Sequence, residues 1–370
     1  MKFLGEDIPK LGFGLMRLPT AGDKIDVEQT KTMVDKFLAA GFTYFDTAYA
    51  YPGSEEAIKT ALVDRYPREK YQLATKLPAW LGAKDAEEAK GMFYTSLERT
   101  GAGYFDFYLL HNCGDDRTEV FDKFGLWDFA FEQRAKGLIK HVGFSFHDTA
   151  EKLDALLTRH PEAEFVQLQI NYADWESPSV QSRKCYETAI GHGKPVIIME
   201  PIKGGLLANP PGKAARILRD AEPDASLSSW ALRFAASLDG VITILSGMSN
   251  IAQMEDNLAT MKDFRPLNNN ELLLISHTRD ELDKIHSIPC TNCRYCVKGC
   301  PQRVAIPGIL KALNTLKIYG DLASAKHTYE WETSRGAPAS DCVECGQCET
   351  ACPQHIKIMG ELKEATAKLA

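Results

Sequence analysis

From residue 1 to about 262, short apolar or β-branched runs alternate with longer stretches in which apolar positions recur every three or four residues. The short runs are L-G-F-G-L-M-R-L (11–18), F-T-Y-F-D-T-A (42–48), Y-Q-L-A-T-K-L (71–77) and F-D-F-Y-L-L-H (105–111). They continue with H-V-G-F-S-F-H (141–147), F-V-Q-L-Q-I-N-Y (165–172), P-V-I-I-M-E-P-I (195–202) and G-V-I-T-I-L-S-G (240–247). Most are nearly continuous in apolar character, as expected of parallel strands covered on both faces. Helical spacing covers 27–40, where Val27, Met33, Val34, Phe37 and Leu38 recur and Gly41 supplies the stop. It returns at about 54–64, 85–100, 118–136, 149–159, 179–191, 226–238 and 251–262. Eight strands, each followed by a helix, predict a (β/α)8 TIM barrel, an α/β fold. An open doubly wound sheet is the rival, but no G-x-G-x-x-G follows an early strand.

After 262 the character changes. Asn268–Asn270 are placed to cap a helix from about 271 to 286, and 307–319 and 322–333 also read as helical. These segments frame two cysteine runs, C-T-N-C-R-Y-C-V-K-G-C-P (290–301) and C-V-E-C-G-Q-C-E-T-A-C-P (342–353). The expected organisation is a barrel over 1–265 and a small, mostly α-helical ferredoxin-like domain over 266–370.

Both runs have the spacing C-x2-C-x2-C-x3-C-P, the bacterial-type ligand run for [4Fe–4S] clusters, in which the fourth cysteine serves the other cluster. The expected pairing is therefore crossed. Cys290, Cys293 and Cys296 share one cluster with Cys352, and Cys342, Cys345 and Cys348 share the other with Cys300. A pair of zinc ribbons is the competing reading, since C-x2-C pairs also bind zinc, but zinc has no use for this third-and-fourth spacing twice over. Disulfides fit poorly with the cytoplasmic location expected here, where thiols stay reduced.

Composition supports that location. The net charge of -7 argues against a basic nucleic-acid footprint. No apolar run reaches the roughly 18 residues of a membrane span, and Glu6 and Asp7 interrupt any signal-peptide core.

In barrel enzymes, chemistry sits at the C-terminal ends of the strands. Asp46, Lys76 and His111 end the second, third and fourth expected strands, and Tyr51 follows Asp46 by five residues. Singly, each reads as structural. Together they suit protonation of a carbonyl oxygen while hydride arrives at its carbon. A tyrosine hydroxyl ionises near pH 10; a lysine cation lowers that value, an aspartate holds the lysine, and a histidine orients the carbonyl.

These motifs resemble the aldo-keto reductase family. D-T-A-x-x-Y-x-x-S-E is here Asp46–Glu55 with Tyr51, the lysine strand is L-A-T-K (73–76), and the histidine strand is Y-L-L-H (108–111). The similarity covers about residues 3–262, and the tail matches a branch carrying a C-terminal 4Fe–4S ferredoxin-like domain. The resemblance implies an NAD(P)H-dependent carbonyl–alcohol oxidoreductase, with the cofactor extended across the barrel mouth. Ser145 and Gln169 match residues at the nicotinamide carboxamide, though the asparagine usual after the serine is Phe146 here. Met199 stands where many members stack a tyrosine. Lys203, Gly204 and Gly205 match the loop beside the pyrophosphate. Gly247, Ser249, Gln253 and Asn257 match the reader of the adenosine ribose and its 2′-phosphate. Some relatives have arginine at Gln253, so NADP(H) is the first expectation and NAD(H) the second. Arg17 is a candidate for a cofactor phosphate or an anionic substrate, or for a structural salt bridge. Asn112 replaces an aromatic common in relatives, and Trp80 is either a replacement wall or a loop anchor. Cys113 and Cys185 read as structural.

The two halves disagree on electron counting, since nicotinamides deliver a hydride and [4Fe–4S] clusters accept single electrons. One reading is a reductase of a small-molecule aldehyde, ketone or quinone with structural or regulatory clusters. A second is an electron-transfer enzyme in which a flavin, indicated by no motif, or a redox-active substrate couples the barrel to the clusters and a protein partner. A third is an iron–sulfur redox sensor with a nucleotide-binding barrel, against which the intact tetrad counts.

Overall fold

The computed structural model describes every residue except Met1, Lys2, Asp115, Asp116, His286, Thr291, Cys293 and Pro353. The chain forms two compact units, residues 1–208 with 225–272 and residues 209–224 with 273–370.

In the first unit eight parallel strands close into a barrel: β1 (Leu11–Gly14), β2 (Tyr44–Asp46), β3 (Gln72–Leu77), β4 (Phe105–Cys113), β5 (Ile139–Phe146), β6 (Phe165–Gln169), β7 (Val196–Met199) and β8 (Val241–Ser246). Closure comes from β1, which pairs with β2 through Gly12↔Tyr44 and with β8 through Gly12↔Leu245. Because strand side chains alternate, one set from each strand fills the interior; Tyr44, Ala74, Phe107, Leu109, Phe165, Ile197 and Leu245 form that packed core. Two glycines make room for the bulky members. A methyl on Gly143 would lie 2.5 Å from the Phe165 carbonyl oxygen, and one on Gly12 would lie 2.8 Å from Leu245 Cδ2.

Helices cover the outside: α1 (Val27–Ala39), α2 (Ser54–Ile58, continued by a π turn over Lys59–Val63), α3 (Ala86–Thr100), α4 (Glu119–Lys123), α5 (Leu126–Ala135), α6 (Ala150–Arg159) and α7 (Ser182–Gly191). The single helix expected over 118–136 is broken into α4 and α5 at Gly125, whose φ of 62° leaves the helical region. The first strand is also shorter than expected. It ends at Gly14, and a 3-10 turn over Leu15–Arg17 takes over. Helix α8 (Gly212–Ala221) is not among the expected helices, although Ala214, Ala215 and Leu218 recur at helical spacing, and it belongs to the second unit. Helices α9 (Leu227–Ala236) and α10 (Ile251–Lys262) complete the ring, and α11 (Asn269–Asp283) follows, capped by Asn268 as expected.

The second unit contains α12 (Tyr295–Lys298), α13 (Ile306–Tyr319), α14 (Leu322–Thr333), α15 (Gln347–Thr350) and α16 (Ile358–Leu369). Its core holds Ile309, Leu310 and Leu313 of α13, Tyr329 of α14, and Ile358, Leu362 and Ala365 of α16. Lys317 anchors α16 through Glu361 at 2.8 Å and Glu364 at 3.0 Å. No helix among the described residues is long and apolar enough to cross a membrane.

Candidate active site and cysteine centres

The tetrad assembles at the C-terminal ends of β2, β3 and β4. The register Asp46↔Ala74 leaves Lys76 two residues further up β3, on the same face as Ala74. The Lys76 ammonium donates to Asp46 Oδ1 at 2.5 Å and to the Thr47 carbonyl at 2.8 Å. Both side chains are almost fully buried, and Gln167 Nε2 donates to Asp46 Oδ2 at 3.4 Å. Tyr51 lies in the turn after β2, closed by its own N–H to the Ala48 carbonyl at 3.0 Å. Its ring faces Lys76 Nζ at 5.0 Å and meets the His111 ring edge-on, with centroids 5.8 Å apart.

Burial depresses Lys76, but the Asp46 carboxylate and Tyr51 more than restore it, and its net shift is upward. Burial raises Asp46, with Lys76 opposing. The two shifts pull the proton in opposite directions. A buried ammonium needs a carboxylate partner at this distance, so the pair is charged. Tyr51 corrects the expected balance: burial raises its pKa, and the lowering effect of Lys76 only partly offsets that. The hydroxyl is therefore a firmly protonated acid rather than a half-ionised one.

Trp80 stands against His111, with ring centroids 5.9 Å apart, and its indole donates to the His111 carbonyl at 2.7 Å. It thus anchors the histidine's backbone. Cys113 and Cys185 are buried, and burial pushes the Cys185 thiol up to about 12.

The cofactor candidates fall into neighbouring groups on the same rim. At the ends of β1, β7 and β8, Arg17 donates from Nη1 to the Gly204 carbonyl at 2.7 Å, and Ser249 Oγ donates to the Arg17 carbonyl at 2.8 Å. A methyl on Gly204 would come within 3.1 Å of Arg17 Nη1, and one on Gly247 within 4.0 Å of Arg17 Cβ. Lys203, Gly204 and Gly205 all have positive φ, so the loop turns its backbone sharply there. Gln253 accepts the Ser249 N–H at 2.8 Å, while Asn257 is buried and donates to Ser246 Oγ at 2.6 Å. Asn257 therefore braces the strand end. Ser145 Oγ accepts the Asn112 N–H at 2.7 Å, and Gln169 and Met199 are register partners at the ends of β6 and β7.

Sequence reasoning missed three residues of this rim. Gln167 was legible, being two positions before Gln169 and so on the same strand face. Asn171, two positions after Gln169 in the run 165–172, was legible in the same way, while Asp174 carried no signal. Asn171 Nδ2 donates to Asp174 Oδ2 at 2.8 Å, and Asp174 forms a close ion pair with Lys203.

In the second unit, Cys300, Cys342, Cys345 and Cys348 line one small cavity with Val304, Ile306, Met359 and Leu362. These are the four cysteines that crossed pairing assigns to one cluster. The Val304 N–H donates to Cys300 Sγ at 3.4 Å. Cys296 and Cys352 of the other set are buried in the same core, with Cys290 packed against it; Cys293 lies outside the described residues. No disulfide occurs among the described cysteines. A thiol-rich cavity with an apolar lining fits an iron–sulfur cluster by its donor chemistry.

Residues 10–277 match the aldo/keto reductase family profile, and residues 289–356 match that of the 4Fe-4S dicluster domain. An aldo-keto reductase of Mycolicibacterium smegmatis is 30% identical over 141 residues, 38% of this chain and 47% of that relative, so the match spans about half of its length. An uncharacterized oxidoreductase of Bacillus subtilis is 22% identical over 313 residues, 76% of this chain and 96% of that relative. The crystal structure of a Klebsiella pneumoniae aldo-keto reductase in complex with NADPH is similar with a TM-score of 0.57 and 22% identity, covering 73% of this chain and 90% of that one.

Proposed function

Because the chain belongs to the aldo/keto reductase family and carries a 4Fe–4S dicluster domain, we propose that it reduces an aldehyde, ketone or quinone with NADPH, Tyr51 serving as the acid. The observation that carries this reading is the buried Lys76–Asp46 pair facing Tyr51, with His111 at the tyrosine's edge. A nicotinamide bound at this rim would supply the hydride to the carbonyl carbon. His111 orients the carbonyl oxygen, which takes the Tyr51 proton as the alcohol forms. Lys76 stabilises the tyrosinate left behind until solvent returns the proton. Arg17, Lys203 and the Gly204–Gly205 loop would hold the pyrophosphate, and Ser145 and Gln169 the carboxamide. The bound NADPH of the Klebsiella structure favours NADPH over NADH.

The two cysteine sets would hold two [4Fe–4S] clusters in crossed pairing. Exposure of Cys345 and Val343 brings the edge of one set to the surface, which favours, as a second reading, one-electron exchange with a protein partner.

Anaerobically purified chain, given NADPH and a panel of aldehydes and quinones, tests both. Turnover that Tyr51→Phe reduces by about 10²–10⁴ supports the acid role, and turnover that survives Tyr51→Phe refutes it. Bleaching of the cluster absorption by NADPH alone supports the wired reading, and unchanged clusters during turnover support the first.

A further inference from the structure

Three polar atoms inside the barrel are buried without a hydrogen-bond partner: Tyr44 Oη, Gln167 Oε1 and Thr243 Oγ1. Their residues are 0%, 1% and 0% exposed. Buried groups of this kind are almost always paired, because an unmet donor or acceptor keeps its full desolvation penalty.

They are also not scattered. Gln167 and Thr243 are each in register with Ile197, which puts them at one level on the consecutive strands β6, β7 and β8. Tyr44 reaches the same region from the other side of β1. The point where a methyl on Gly12 would sit is 3.0 Å from Tyr44 Cδ1 and 3.4 Å from Thr243 Oγ1. Asp46 follows Tyr44 by two residues on β2 and so shares its inward face. Its Oδ1 is taken by Lys76, while Oδ2 has the long 3.4 Å contact from Gln167 Nε2.

We propose that this level of the barrel binds ordered water, held by Tyr44, Gln167 and Thr243 beneath the Asp46–Lys76 pair. Water matches the donor and acceptor pattern. The tyrosine and threonine hydroxyls both donate and accept, and Gln167 Oε1 only accepts. Buried waters typically make about three such bonds. The assignment accounts for three polar side chains in an interior otherwise filled by Phe107, Leu109, Phe165 and Ile197. The water site itself does not depend on the proposed reaction.

A crystal structure of the full, cluster-loaded chain at a resolution that shows waters, with the near-isosteric variants Thr243→Val and Tyr44→Phe, tests this. The wild type is expected to show a water peak within hydrogen-bond distance of at least two of the three oxygens. Each variant should lose or weaken that peak, and its barrel should unfold at a temperature several degrees lower, since it removes a partner from a bound water. A dry interior in the wild type overturns the proposal. So does a raised or unchanged unfolding midpoint in both variants, the result for hydroxyls that had no partner to lose. Should neither variant fold, the wild-type density decides alone. Turnover does not enter these readouts, so loss of carbonyl reduction and loss of the water site are separate results.

Discussion

Replacing Lys76 by methionine removes the one described cation facing Tyr51 and puts a number on the proposed acid. With Lys76 Nζ 5.0 Å from the ring centre, the Coulomb interaction at an effective dielectric constant of ~20 is about 3 kcal/mol, or about 2 pH units. Burial already raises Tyr51, and Lys76 opposes it. Without the cation, the tyrosine ionises higher still. Asp46 would then take up a proton beside an uncharged neighbour, and the loss of its repulsion on Tyr51 offsets part of the rise. The assay is the pH dependence of kcat/KM for NADP+-dependent oxidation of short alcohols, which requires the ionised tyrosine. Its rate rises with pH toward the tyrosine pKa, so Lys76→Met should move that alkaline limb upward by about 1–2 pH units. Below the limb, turnover should fall in both directions, because a weaker acid gives its proton less readily and equilibrium ties the two directions together. Melting should also shift down, because the variant leaves a buried carboxylate without its cation. An unmoved limb in a folded Lys76→Met variant, or a limb that persists in Tyr51→Phe, would refute the assignment of that ionisation to Tyr51.

Three further outcomes follow from particular contacts. Crossed ligation predicts that the double variant Cys300→Ser/Cys345→Ser keeps about four iron atoms per chain, because both cysteines serve one cluster, whereas Cys300→Ser/Cys290→Ser disturbs both clusters and falls below that; equal iron in the two would contradict the pairing. In the second unit a methyl on Gly308 would lie 2.5 Å from Glu332 Cβ, so Gly308→Ala should force α13 and α14 apart and lower stability by about 1–3 kcal/mol, read by thermal unfolding. Gln253→Arg should tighten NADPH relative to NADH by about tenfold or more in direct binding, since arginine's fork suits a phosphate and Gln253 Oε1 now serves only the Ser249 N–H.

Much of the barrel was legible because its signal is local. Parallel strands covered on both faces read as apolar runs, but several observed strands are shorter than the runs, as at Tyr44–Asp46, Phe165–Gln169 and Val196–Met199, and at β1, where the 3-10 turn Leu15–Arg17 takes over; the helix expected over 118–136 breaks at Gly125. The C-terminal helix α16 carries a readable stripe of Ile358, Leu362, Ala365 and Leu369 beside the louder cysteine spacing. Helix α8 carries a stripe of the same kind in Ala214, Ala215 and Leu218; what has no local signature is its place in the second unit, away from its neighbours in the chain.

The sequence by itself determined the residue types and the spacings: the tetrad on consecutive strand ends, the two cysteine runs, and the loop of Lys203, Gly204 and Gly205. Those are properties of neighbours in the chain. Only the tertiary structure decided the balance at Tyr51, because desolvation depends on what surrounds a group, and burial there outweighs the lysine that the motif supplies. It likewise brought Gln167 to Asp46 across 121 positions of chain and placed Cys300 beside Cys342, Cys345 and Cys348. Barrel closure and helix packing create those neighbours, and no spacing along the chain encodes them.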